Sequence, residues 1–412
     1  MLKKNYLFHF TGVAGLLGLL TIAAPVSAAS HEQVLYSFCN GTGSGCPDGE
    51  YPRAGVIFDS VGNLYGTTEG DDVLNYGNVF QLTPGANGSW TETVLYNFGS
   101  NGILPVGALV FDASGNLYGT TLAGGDYNNG TVFELTPTNG TWTEQVLYSF
   151  GANPGDGTGP ASGLIFDGSG NLYGTTPNGG KFGTGTVFEL SPSGNGTWSE
   201  KVLYSFSAAK YGRSPSGILV FDVKGNLYGV TSGGGAHRGG TVFELTPGKK
   251  GSWREQVLHS FSGKDGRQPI AGLTFDANGN LYGTAAQGGA RNGGVVFELS
   301  PGGNGTWTEQ VLHYFGHAAD GARPASGLTF DGSGNLYGTT RSGGSHGGGI
   351  AFELSPGSSG KWTERVLHNF GKGEDAAQPV TSLVFDGSGN LYGTAQAGGA
   401  SQFAGAVFEI TP

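Results

Sequence analysis

Apolar positions recur along this chain in a fixed order. A short apolar run ends in Phe-Asp, small residues follow, and then come Asn-Leu-Tyr-Gly, a glycine-rich stretch and Val-Phe-Glu-Leu. A longer segment from Trp to Phe, alternating apolar and polar, closes the unit. In the third copy, residues 163–167 read as a short strand, 167–171 as a tight turn, 171–176 as a second strand and 185–190 as a third. Residues 198–206 form the fourth. There a period of two puts Trp198, Glu200, Val202, Tyr204 and Phe206 on one face and Leu203 on the other. Strands that are partly apolar on both faces need a neighbour on each side.

The unit occurs seven times, with the Phe of Phe-Asp-x-x-Gly-Asn-Leu-Tyr-Gly at Phe58, Phe111, Phe166, Phe221, Phe275, Phe330 and Phe385. A spacing of 53 to 55 residues is too long for one coil of a solenoid and fits one four-stranded propeller blade. Residues 31–38 match the fourth strand of later copies, whereas the seventh copy stops after its third strand at residues 407–410. The expectation is an all-β, seven-bladed propeller filling residues 29–412, in which the N-terminal strand completes the last blade and closes the ring.

Phe-Asp-x-x-Gly-Asn-Leu-Tyr-Gly-Thr-Thr, followed by Gly-Gly and Gly-Thr-Val-Phe-Glu-Leu-Thr-Pro, resembles the GloVer-type tandem repeat of secreted bacterial proteins over residues 31–412. That family is called choice-of-anchor because its members end in different surface-sorting tails. The resemblance implies export and brings no catalytic residues with it. This chain ends at Thr411-Pro412 without a sorting tail, so a released protein is expected.

Residues 1–28 carry Lys3 and Lys4, an apolar stretch from Val13 to Ala24, and the small residues Val26-Ser27-Ala28. They read as a secretory signal peptide cleaved after Ala28 or Ala29. Cleavage removes two lysines and no acid, taking the formal charge from −11 to −13. So acidic a chain lacks the basic footprint of nucleic-acid binding. No long apolar run follows residue 28, so no transmembrane segment is expected in the mature chain. We expect a monomer that is secreted, at the cell surface or in the periplasm. In such an oxidising compartment Cys39 and Cys46, the only cysteines, are expected to form a disulfide across a glycine-rich loop.

Two loops vary from copy to copy. The segment between the fourth strand and a recurring proline (52, 105, 160, 215, 269, 324, 379) changes length, and the tip between strands two and three changes character. Both fall on one face of a propeller, and a constant scaffold with one variable face points to a binding surface for an extracellular glycan or protein. Tyr76, Tyr127, Phe182 and Phe403 are its stacking candidates; Asp126, Lys181, His237, Arg238, Arg291 and His346 would supply polar contacts. Two other readings stay open. One is a polysaccharide hydrolase or lyase using Asp126, His237, His317 and His346; the other is a structural matrix component.

Four residues before the loop proline stand Asp48, Asp156, Asp265, Asp320 and Asp375. Ringed at the channel mouth they would attract a cation such as calcium; the competing reading is a turn-forming Asp repeated in each loop. No other cofactor is implied. His259, His313 and His368 take the place of a Tyr in the fourth strand, and consecutive blades hold them too far apart to share a zinc ion. The Asp of each Phe-Asp reads as a hairpin cap, and the recurrent glutamates read as cross-strand partners.

Overall fold

The computed structural model describes residues 30–39, 46–70, 76–207, 210–316, 319–358, 360–401 and 403–412. The leader, His317, Leu74, Asn75 and Gln402 lie outside them. Seven antiparallel sheets are built on one plan. In the third blade Ile165–Phe166, Leu172–Thr176, Thr186–Pro192 and Trp198–Ser205 pair in that order from the inside out. In the seventh, the N-terminal strand His31–Ser37 pairs with Ala406–Thr411 and becomes the outer strand. The all-β, seven-bladed propeller closed by its N-terminus is therefore the observed fold. No helix among the described residues is long and apolar enough to cross a membrane.

Each hydrophobic core lies between two blades. Tyr118, Val132, Leu147 and Phe150 of the second blade meet Leu164, Leu172, Phe188 and Leu190 of the third. Two ring contacts repeat around the molecule. The Phe closing an outer strand packs against the third-strand Phe of the next blade, as Phe150 does edge-on to Phe188 at 5.1 Å. The Tyr of Leu-Tyr-Gly meets the inner-strand Phe of the next blade, as Tyr173 meets Phe221 at 5.1 Å. Ring closure uses the same pairs, Phe38 on Phe80 and Tyr392 on Phe58.

These cores explain the glycine of Leu-Tyr-Gly. Gly174 lies opposite Phe188 in the ladder, and a Cβ on it would stand 2.6 Å from the ring tip and 2.9 Å from Leu164. Gly174→Ala is expected to cost about 1–3 kcal/mol through overpacking. Gly168→Ala, in an open turn with nothing within 4 Å, should change the denaturation midpoint little. Equal midpoints for the two variants would refute this account.

The turns are fixed by the Asp of Phe-Asp. Asp59 Oδ1 accepts from the Val61 and Asn63 amides, and its Oδ2 from the Asn63 side chain at 2.7 Å and the Tyr65 hydroxyl at 3.1 Å. The hairpin-cap reading holds. The cross-strand reading holds too where Tyr118 donates to Glu134 at 2.8 Å from the facing register position.

The fourth strand departs from strict alternation. Phe188 pairs with Val202 but Val187 pairs with Tyr204, so Leu203 is a bulge. The extra residue inverts the facing of the positions C-terminal to it. Trp198 packs toward the second blade, whereas Leu203, Tyr204 and Phe206 pack toward the fourth. The single face expected for residues 198–206 is thereby corrected. All seven outer strands carry the same shift.

Candidate functional site

The inner-strand segments of all seven blades line a narrow central cavity of about 270 Å³, walled by small residues such as Ala108, Gly163, Gly217 and Gly327. Above it opens a funnel of about 490 Å³. The chain reaches this mouth through the residue before each loop proline: Tyr51, Leu104, Gly159, Ser214, Gln268, Arg323 and Gln378. All seven are left-handed, with φ between 51° and 64°. Sterics with the proline ring disfavour helical backbone at this place, and left-handed backbone costs a non-glycine residue about 1–2 kcal/mol. Hydrogen bonds hold it there. The Gln268 amide donates to Gly239 O of the preceding blade at 2.8 Å, and Gln268 O accepts from the Ala286 amide of its own second strand at 3.0 Å.

Around the funnel the blades are unequal. Val106, Leu122 and Ala161, from blades two and three, make an apolar wall. Blades five, six, seven and one contribute Gln268, Gln287, Arg323, Arg341, Gln396, Arg53 and Glu69. Arg53 pairs with Glu69. Arg341 donates to Gln396 Oε1 at 3.2 Å, and Arg267 to Gln287. Arg323 is exposed, and no acceptor for its guanidinium is found among the described residues. Three arginines against one glutamate make a cationic mouth in a chain of net charge −11.

None of the loop-tip candidates lines this funnel. Tyr76, Tyr127, Phe182 and Phe403 are exposed, Phe403 at 73%. They are dispersed, one to a blade. Asp126 and Tyr127 share a shallow cleft with Tyr148. Arg238 lines another with Lys210 and Arg213, and Lys181 lies 5.3 Å from the Phe182 ring. His346 borders a cleft with His31 and His368. His237 is near enough to His259 to disfavour its protonated form, and the Arg291 Cβ lies against Gly316. Sequence variability points to the loop tips and away from the funnel. The signal is the residue beside the loop proline, where Arg323 is the one charged side chain in a series otherwise of Tyr51, Leu104, Gly159, Ser214, Gln268 and Gln378.

The five aspartates do not crowd the channel mouth, and that expectation is corrected: none of them borders the funnel or the central cavity. Each turns back to the outer strand it follows. Asp48 accepts from Tyr36 at 2.9 Å and Asp156 from Tyr148 at 2.8 Å. Asp265 and Asp375 stand 3.0 and 2.9 Å from the Nε2 of His259 and His368, and Asp320 is 3.7 Å from His313. The outer-strand Glu of the next blade completes each junction. Burial, then the Asp48 charge, pushes Glu92 up to about 7; burial, then Asp156, takes Glu200 to about 8. Burial lifts Glu255 to about 7 against the opposing pull of Lys210. The histidines stay edge-on to the Phe two positions on, as the tyrosines do. Cys39 and Cys46 are joined, with Cα atoms 4.6 Å apart.

A closed ring of seven near-identical blades with one unequal funnel at its mouth defines a β-propeller with a candidate ligand-binding face. The chain belongs to the Gloeobacter/Verrucomicrobia repeat family, whose pattern matches residues 11–152, 87–273 and 250–412. No curated protein matches it. Among solved structures, it is similar to a Bacteroides uniformis protein provisionally assigned as a 6-phosphogluconolactonase. They share 16% identity at a TM-score of 0.53, over 81% of this chain and 88% of that one. It is also similar to a Thermus thermophilus protein provisionally assigned as an oxidoreductase of the glucose dehydrogenase kind. There the identity is 15% and the TM-score 0.45, over 93% and 100% of the two chains. The first likeness shows the propeller fold alone; the second is too distant to carry an argument.

Proposed function

We propose that this protein, exported and acting as a monomer, binds an anionic, hydroxyl-rich ligand in the channel-mouth funnel, the acidic end of an extracellular glycan being the class that fits. The observation that carries the reading is the unequal mouth, where Arg323 and Arg341 stand among the amides of Gln268, Gln287 and Gln396. Arginine matches a carboxylate with two parallel hydrogen bonds, and carboxamides both donate to and accept from hydroxyls. The apolar wall of Val106 and Leu122 offers a surface for the face of a sugar ring. The exposed aromatic tips would then extend the contact to a longer chain or a protein surface.

The test uses an acidic oligouronide and a neutral oligosaccharide of equal length, read by calorimetry. The uronide is expected to bind, more weakly at high salt, and the neutral sugar not to bind. Arg323→Gly should weaken binding by about tenfold or more, the loss of roughly 1.5–3 kcal/mol for a charged hydrogen bond. Its melting temperature should hold, because relief of left-handed strain offsets the roughly 0.5–1 kcal/mol entropic cost of glycine. Equal affinity for both sugars would sink the proposal.

A second reading, turnover of the same ligand class, is favoured by Glu69. Among the described residues it is the only carboxylate lining the funnel, and it is half-buried and held by Arg53. A positioned carboxylate can act as a general base. Product formation by the wild type that Glu69→Gln abolishes, with binding kept, would establish it; an unchanged glycan would leave recognition alone.

A further inference from the structure

A cleft of about 570 Å³ opens between the sixth and seventh blades, bordered by Glu32, His346, His368 and Asp375. It shares no residue with the funnel. In it, ligand atoms of Glu32, His368 and Asp375 all lie within 4.8 Å of one another. The Asp375 side chain is only 9% exposed. Its Oδ2 faces His368 Nε2 at 2.9 Å and accepts from the Gly371 amide at 3.1 Å. Its Oδ1 is buried with no donor, and so is Glu32 Oε1. The two carboxyl groups lie against each other. A carboxyl oxygen buried without a donor lacks the partner that its desolvation calls for.

Two other junctions bring a histidine, an aspartate and a glutamate equally close, His259 with Asp265 and Glu309 and His313 with Asp320 and Glu364. Among these three only Asp375 leaves its Oδ1 without a donor, since Asp320 Oδ1 takes the Gly316 amide. Asp48 and Glu92 leave the same two oxygens bare, with Tyr36 in place of the histidine. Asp156 Oδ1 takes the Gly157 amide, and its Oδ2 takes the Gly151 amide and the Tyr148 hydroxyl. Asp265 Oδ1 takes both the amide and the hydroxyl of Ser262. The sixth-to-seventh junction also includes the strand that closes the ring, since Glu32 comes from the N-terminal strand and His368 from the outer strand of blade six.

We infer that Glu32, His368 and Asp375 form a binding site for a first-row divalent cation of the zinc class, reached through the open cleft. One imidazole nitrogen and two carboxylate oxygens, with water in the remaining position, suit such an ion. Calcium prefers six to eight oxygens, more than these side chains supply. The cation ties the N-terminal strand to the sixth blade and so braces the closure.

The purified chain, stripped with a chelator, is titrated with zinc chloride and separately with calcium chloride, reading calorimetric heat and melting temperature. Zinc is expected to bind at this junction and raise the melting temperature; calcium is expected to do neither. His368→Tyr installs the ring that Tyr36, Tyr96, Tyr148 and Tyr204 carry at this position, so the fold is kept. It is expected to weaken zinc binding here by about tenfold or more, while His259→Tyr leaves it unchanged. A wild type that ignores zinc, a His368→Tyr isotherm superimposable on wild type, or a calcium response in place of zinc would each overturn the inference.

Discussion

A chain lacking residues 30–38 is expected not to fold cooperatively. Those residues supply the whole outer strand of the seventh blade, paired from His31 opposite Thr411 to Ser37 opposite Ala406. They also supply Leu35 and the fully buried Phe38, which pack into the core between blades seven and one. Truncating a buried Phe costs about 3–5 kcal/mol and a buried Leu about 2–5 kcal/mol. Their joint loss is comparable to the roughly 5–15 kcal/mol by which a whole domain is stable. The deletion also bares the Ala406–Thr411 edge to self-association. Near-ultraviolet circular dichroism and a thermal melt should show no cooperative transition, with recovery when a peptide of residues 30–38 is added. A sharp melt within a few degrees of the parent would contradict the account of ring closure.

The parent protein is expected to be more stable at pH 5 than at pH 8.5. Glu92, Glu200 and Glu255 have folded pKa values of about 7, 8 and 7, raised above the ordinary 4.5 first by burial. Asp48 and Asp156 add repulsion to Glu92 and Glu200, whereas Lys210 opposes the rise at Glu255. The folded state therefore holds protons that the unfolded chain has released. That stabilisation is complete below pH 4.5 and is lost as pH rises through 7 to 8. Each junction contributes on the order of 1 kcal/mol after solvent screening of these partly exposed groups. The turn aspartates act oppositely. Asp59 and Asp167 stay below the usual 3.8, because donors from Asn63 and Asn171 outweigh burial, so their contribution disappears only in stronger acid. Melting temperature should peak between about pH 4.5 and 6 and decline toward pH 8.5. A flat profile from pH 5 to 8.5 would count against half-buried, protonated junction glutamates. Glu200→Gln should flatten the decline in part, since an amide keeps the shape without the titration.

The repeat was legible because each blade solves the same packing problem. Phe188 needs a glycine opposite it, the turn needs Asp167 and Asn171, and the Phe150 and Tyr173 positions must meet a ring in the next blade. Such local demands recur at a fixed spacing, so copies of a sequence compared with one another expose them. The outer-strand bulge was not legible. Strict alternation and alternation with one extra residue at Leu203 read alike over nine positions, and only the ladder to Val187 and Phe188 separates them.

The candidate site divides along the same line. Phase and composition marked the variable face, the disulfide and the missing outer strand, because these depend on order along one chain. They did not mark the funnel, whose residues come from the starts and ends of strands in six blades and meet only where the ring closes. Nor did they place Asp375 beside Glu32, which are 343 positions apart in the sequence. By itself the sequence determined the blade, the number of blades and the means of closure, since each follows from nearest-neighbour packing within one repeat and the next. Only the tertiary structure decided which charges converge, because the ring brings distant copies around one axis and sets the first strand beside the last.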